Sequence, residues 1–195
     1  MLETLLTVGY AVLPQYAFLS ASEERAVQEI LERRWGRDAK RLKPVWRRGR
    51  SRRDADVDHI LRVITERVLE PLQRTVRDEG PLLLEEVFVR SYRGSRSPGH
   101  ALHADPGYLV FAYSFDRDGT LVYPDAHAIR TPPHTGAILG GMRRQAATGT
   151  PAVIHAAPAS RSKRFALIAV FKPLRDPRIP RRVRQEVARR IATLR

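Results

Sequence analysis

From residue 82 to residue 172 the sequence reads as a succession of short strands. Segments 82–92, 107–115, 119–123, 136–140, 151–155 and 164–172 are rich in Val, Ile, Leu, Phe and Tyr, and Gly, Pro, Asp and Ser punctuate them. Many short strands at close spacing bury their edges and faces best as a sandwich or a barrel. Ahead of this block the period is helical. Residues 8–13 form a short strand ending at Pro14, and Ser20-Ala-Ser-Glu23 has the pattern of a capping box. Val27, Ile30, Leu31 and Trp35 then fall at helical spacing, which predicts a helix over about 21–35. A second helix is expected over 55–78, with Val57, Ile60, Leu61, Ile64, Val68 and Leu69 on one stripe and Pro71 kinking or dividing it. Between them, residues 36–53 have no apolar period and read as a loop or basic arm. Pro180 opens a last helix whose inner stripe is Val183, Val187, Ile191 and Leu194. The length of 195 residues suits one domain, 1–195. Its class is α+β, mainly β: N-terminal strand and helices at 8–80, a β core at 82–172 and a basic C-terminal helix at 177–195.

The chain has no cysteine, which excludes disulfides, iron–sulfur clusters, thiolate zinc sites and cysteine nucleophiles together. No apolar run has the length of a membrane span, and the N-terminus lacks the basic region and cleavage site of a signal peptide. A cytoplasmic protein with no membrane association is the expectation. The net charge is +14, and it is concentrated. Residues 33–53 carry eleven basic side chains against Asp38, and residues 172–195 carry nine against Asp176 and Glu186. Such segments attract polyanions, so nucleic acid is the partner they point to. Two solvated basic faces are the plainer alternative.

The stretch that carries chemistry is Gly99-His-Ala-Leu-His103-Ala-Asp105. Residues i and i+2 of an extended segment share a face, so His103 and Asp105 can point at one site. Imidazole and carboxylate suit Fe(II), and a third ligand from a distant strand completes a facial triad with open positions for co-substrate and O2. His155, at the end of Pro151-Ala-Val-Ile-His155, is the candidate. Arg164 follows nine residues later, opening another strand; a guanidinium there can hold a carboxylate through two parallel hydrogen bonds.

With these residues in place, the sequence resembles the Fe(II)/2-oxoglutarate-dependent dioxygenase superfamily. The resemblance includes Gly9-Tyr-Ala-Val-Leu-Pro with the capped helix, Val87-Phe-Val-Arg-Ser-Tyr92 before the His-x-Asp, and the turn Pro133-His-Thr-Gly136. It covers about residues 8–35 and 82–172. It implies a double-stranded β-helix, or jelly roll, and oxidative decarboxylation of 2-oxoglutarate to succinate and CO2. The carried-over metal ligands are His103, Asp105 and His155. Arg164 is implied to pair with the distal carboxylate of 2-oxoglutarate, with Tyr92 or Tyr113 as a hydrogen-bonding tyrosine; core aromatics are the equal alternative for both. Asp105 implies hydroxylation rather than halogenation. One position departs from the pattern: many members carry Ser or Thr two residues after the arginine, and here it is Ala166. Arg161 and Lys163 are alternative anchoring cations.

Other readings of the histidines remain. His100 and His103 could form a His-x-x-His zinc site. His127 with Asp125 reads as surface or substrate-facing, and His59 and His134 as solvated. Asp54, Asp56 and Asp58 place negative charge at a helix start, where the macrodipole favours it. The substrate is less legible. The basic segments point to a nucleic acid base flipped into an iron pocket, either a methylated base or an alkyl lesion. A peptide or small-molecule hydroxylase is the alternative, and a non-enzymatic basic jelly-roll binding protein is a third.

Overall fold

The computed structural model describes residues 2–35, 40–42, 54–93, 100–115, 121–123, 128–157 and 163–192. Among these residues, ten strands form two antiparallel sheets. They are β1 (Tyr10–Val12), β2 (Lys40–Leu42), β3 (Leu82–Arg93), β4 (His100–Ala104), β5 (Leu109–Ser114), β6 (Leu121–Tyr123), β7 (Ile129–Arg130), β8 (Thr135–Gly140), β9 (Ile154–Ala157) and β10 (Lys163–Pro173). The large sheet has the order β1-β8-β5-β10-β3-β2, and the small one β4-β9-β6-β7. From β3 onward the chain passes back and forth between the two sheets, so that sequence neighbours lie in opposite layers except for the β6–β7 pair of the small sheet. This is the double-stranded β-helix expected from the sequence.

Two-sided burial explains why the strand segments are nearly continuous apolar runs rather than alternating ones. On one face of the large sheet, Leu109, Phe111, Tyr113, Phe165, Leu167, Ala169 and Phe171 pack with Phe18, Leu31 and Ile60 of the N-terminal region. The other face meets the small sheet: Ala137 and Leu139 of β8 pack with Val122 of β6 and with Val153. Each fully buried aliphatic or aromatic side chain stabilises the fold by roughly 1.5–3 kcal/mol.

The helices are α1 (Thr4–Thr7), α2 (Ala21–Trp35), α3, α4 (Met142–Thr148) and α5 (Arg181–Ala192). The α2 start realises the capping box, with Glu23 accepting from the Ser20 amide at 2.9 Å. Helix α3 begins at Ala55–Ile64, passes through a π-helical turn at Thr65–Leu69 and ends at Glu70–Thr75. The π turn ends two residues before Pro71, so the hydrogen-bond register changes beside the point where the proline removes a donor, and the helix is divided rather than ended. Asp54 caps α3 by accepting from the Val57 amide, and Arg34 of α2 binds both Asp54 (2.6 Å) and Asp56 (2.8 Å).

Three elements differ from expectation. Lys40–Leu42, inside the segment read as an arm, pairs with Val87–Val89 of β3; the rest of 36–53 lies outside the described residues. The His-x-Asp segment is itself a strand, β4, although its polar residues mask the pattern. Met142–Thr148 forms a helix in a stretch with no apolar stripe. Among the described residues no helix is long and apolar enough to cross a membrane.

Candidate metal centre

Strand pairing brings the candidate ligands together. In the β4–β9 register His103 lies directly opposite His155, and their ring centroids are 4.4 Å apart. Asp105 follows β4 by one residue and turns its carboxylate between them, 3.9 Å from His103 Nε2 and 3.4 Å from His155 Nε2. One ligand atom from each of the three falls within 4.8 Å of the others. Val122 is the other cross-strand neighbour of His155, so the imidazole joins the layer between the sheets.

Both imidazoles are oriented in the same way. His103 Nδ1 lies 2.8 Å from the Ala101 carbonyl, and His155 Nδ1 lies 3.2 Å from the Val153 carbonyl. A carbonyl only accepts, so each Nδ1 carries a proton and each Nε2 faces the carboxylate. This is the outer-sphere arrangement that holds a metal-ligating histidine in position. Two imidazoles and one carboxylate on one side of a site are a donor set that fits Fe(II) and leaves further positions open.

Burial lowers the His155 pKa below its ordinary value; the Asp105 carboxylate and the Val153 carbonyl oppose that shift. The imidazole is therefore kept in its ligating, neutral form. The sign for stability follows. Below about pH 6.5 the unfolded chain protonates this histidine and the folded chain resists, so stability is present above that pH and lost as pH falls below it. Thermal denaturation of the metal-free protein between about pH 7 and about pH 5 is expected to show a falling Tm. The dependence should be shallower in His155→Gln, and an equal slope in the two proteins would contradict the assignment.

The loop that carries Asp105 is held by the start of α4. Met142 N–H donates to the Asp105 carbonyl (2.8 Å), Gly141 N–H to the Tyr108 carbonyl (2.9 Å) and Arg143 N–H to the Gly107 carbonyl (3.1 Å). Gly141 permits this approach: a Cβ there would stand 2.4 Å from the Gly107 carbonyl oxygen and 2.8 Å from that of Asp105. Glycine in a Gly140-Gly141 pair is the only sequence trace of this contact, and its partner loop lies more than thirty residues away.

The remaining site candidates are placed as follows. Arg164 and Tyr92 are cross-strand partners in the β3–β10 register; their side chains lie outside the described residues. Tyr113 takes the core reading and not the co-substrate contact. It occupies the helix-facing side of the large sheet, packs against Phe18 and Phe115, and donates its hydroxyl to Glu24 of α2. Burial and then the Glu24 bond hold that hydroxyl protonated, well above its usual range. Its position two-residue-periodic with Phe111 and Phe115 is the signal that it belongs to the core. Ser114, next in sequence, takes the opposite face, is buried, and is the cross-strand neighbour of Ala166. Ser114 thus places a hydroxyl at the level of Ala166 on the adjacent strand, which sequence spacing does not reveal. His134, expected to be solvated, binds Glu24 at 2.6 Å and stacks on Tyr16. Asp125, His127 and Arg161 lie outside the described residues.

No family model and no curated protein matches this sequence. Solved structures do match the fold. An oxidoreductase of the 2OG-Fe(II) oxygenase family from Burkholderia pseudomallei aligns over 87% of this chain and 86% of its own, with a TM-score of 0.63 and 12% identity. Full-length Neurospora crassa T7H in complex with alpha-KG aligns over 88% of this chain and 76% of its own, with a TM-score of 0.65 and 11% identity. A Pseudomonas putida prolyl-4-hydroxylase aligns over 89% of this chain and 94% of its own, with a TM-score of 0.60 and 16% identity. At such identities the likeness concerns the fold, and the function is argued from the site.

Proposed function

We propose that this protein is an Fe(II)- and 2-oxoglutarate-dependent oxygenase that hydroxylates its substrate. The observation that carries this reading is the convergence of His103, Asp105 and His155, with both Nε2 atoms turned toward the Asp105 carboxylate, in a double-stranded β-helix. The chemistry such a centre supplies is activation of O2, coupled to decarboxylation of 2-oxoglutarate to succinate and CO2 and to hydroxylation of a substrate C–H bond. In this reading His103, Asp105 and His155 hold the metal from one side and leave the other for co-substrate and O2. Arg164 pairs with the distal carboxylate of 2-oxoglutarate. Val122, Ala137, Leu139 and Val153 form an apolar layer that excludes water from the interior.

The test is anaerobic addition of Fe(II) and 2-oxoglutarate, followed by visible spectroscopy and, on admitting O2, by measurement of succinate. A weak charge-transfer absorption that requires both additions supports the reading; folded protein with neither absorption nor succinate overturns it. Ser114 supplies a finer check. Loss of a hydrogen bond to a carboxylate costs about 1.5 kcal/mol or more, so Ser114→Ala is expected to raise the KM for 2-oxoglutarate about tenfold with little change in kcat. An unchanged KM would separate Ser114 from the co-substrate.

For the substrate, the basic segments 33–53 and 172–195 favour a nucleic acid, with a methylated or alkylated base as the group oxidised. The fold itself casts no vote, because one architecture hosts many chemistries.

A further inference from the structure

Beyond the end of β10, on the side of the Asp105 loop, the structure has a cavity of about 220 Å³. Gly107 and Tyr108 of that loop form part of its wall, and Arg143, Lys172, Arg175 and Arg178 bring four cations to it. Arg175 also lines an open groove of about 510 Å³ with Arg181 and Arg184 of α5. The two hollows therefore share a residue and form one basic track that ends beside the loop carrying a metal ligand.

The charges of the track are not balanced among its lining residues. Glu85 binds Lys172 at 3.1 Å, and Asp176 binds Arg178 at 2.6 Å and lies 3.8 Å from Arg143. These two carboxylates face six cations, which leaves a surplus of four positive charges along the track. Within the groove, Arg184 Nε is buried and has no hydrogen-bond partner among the described residues.

We propose that this track binds the phosphodiester backbone of a single-stranded nucleic acid and leads one nucleotide toward the metal centre. The cavity is smaller than the pockets that enclose a whole small ligand, about 300–1,000 Å³, so it suits one group of a longer chain whose next phosphates lie in the groove. Guanidinium forks match phosphate oxygens bidentately, and successive arginines match a charge repeated along a strand. The inference rests on the oxygenase reading only for what happens to the nucleotide; binding by the track stands independently.

The experiment is fluorescence anisotropy of a labelled single-stranded deoxyoligonucleotide with the full chain, repeated over a range of salt concentrations. Arg175→Glu combined with Arg184→Glu is expected to weaken binding at least about tenfold. The same pair should reduce the slope of log affinity against log salt by about 1.4, the value for two phosphate contacts on a single strand. Arg175→Gln, an exposed single change, should remove about half of that slope and guards against a double variant that fails to fold. Reversing exposed arginines on other faces, Arg25→Glu with Arg74→Glu, should change affinity by no more than about twofold. Equal losses from the two double variants would overturn the proposal, since the charge would then act diffusely. Displacement of the oligonucleotide by poly-glutamate or by inorganic phosphate at matching charge concentration would overturn it in favour of an acidic peptide or a single anion. The Fe(II) and 2-oxoglutarate absorption of the unaltered protein is recorded on the same preparation. Its absence would remove the oxygenase reading and leave the track standing, whereas its presence with no track-dependent binding would do the reverse.

Discussion

Substitution of any one of His103, Asp105 and His155 by alanine is expected to abolish both the Fe(II)·2-oxoglutarate absorption and succinate formation. Changing a partner that merely orients a metal ligand costs about 10–100-fold in metal affinity or activity, so removing a ligand should cost at least about 100-fold. The three positions should differ in stability, which makes the result informative. His155 is only 10% exposed in its side chain, and truncation there leaves a hole between the sheets. His103 is 39% and Asp105 24% exposed, so alanine at these positions should leave the metal-free fold close to its original Tm. Thermal shift on adding Fe(II) checks both points. Stabilisation by metal in the parent protein should be absent from all three variants. If the Asp105→Ala protein still bound Fe(II) and 2-oxoglutarate, the triad would be wrong, and a site built on His100 and His103 would return to consideration.

The largest loss of stability is expected away from the metal, at Arg144. This side chain is 1% exposed. Its guanidinium donates to both carboxylate oxygens of Glu79, at 2.6 Å from Nη2 and 3.0 Å from Nε, and to the Leu5 carbonyl at 2.9 Å. Glu79 in turn accepts from the Tyr108 hydroxyl at 2.7 Å. Removing the arginine leaves a carboxylate confined in the interior without its counter-charge, which costs about 3–5 kcal/mol. For a chain of this length, Arg144→Met should lower Tm by on the order of 10 °C. Replacing both partners removes the stranded charge, so Arg144→Met with Glu79→Met should recover much of the loss. Urea denaturation of the two single variants and the double variant closes the cycle. A double variant as unstable as the sum of the singles would mean that the pair is not coupled. Arg144 sits in α4, whose first amides hold the Asp105 loop, so Arg144→Met should also bind Fe(II) more weakly than its stability alone explains.

The His103, Asp105 and His155 candidates and the broad architecture are legible in the sequence because both rest on local rules. Alternation puts His103 and Asp105 on one side of the chain, capping chemistry marks the start of α2, and strand-like runs between 82 and 172 require a layered β structure. What escapes is whatever depends on which strands become neighbours. Tyr113 and Ser114 are adjacent in sequence and equally plausible as polar lining, yet the sheet sends the tyrosine to the helices and the serine to the interior. Only the pairing of β5 with β10 places that serine beside Ala166. The strand at His100–Ala104 has Leu102 as its one large apolar residue, and it is recognised as a strand only through its pairing with β9. Arg144 is one of many arginines in a basic chain. Nothing in its flanking residues separates it from the solvated ones, since its role is set by Glu79, sixty-five residues away. Periodicity and motif spacing report contacts along the chain; the choice of face, the buried ion pair and the glycine under the Asp105 loop come from contacts across it, where chain closure and packing decide.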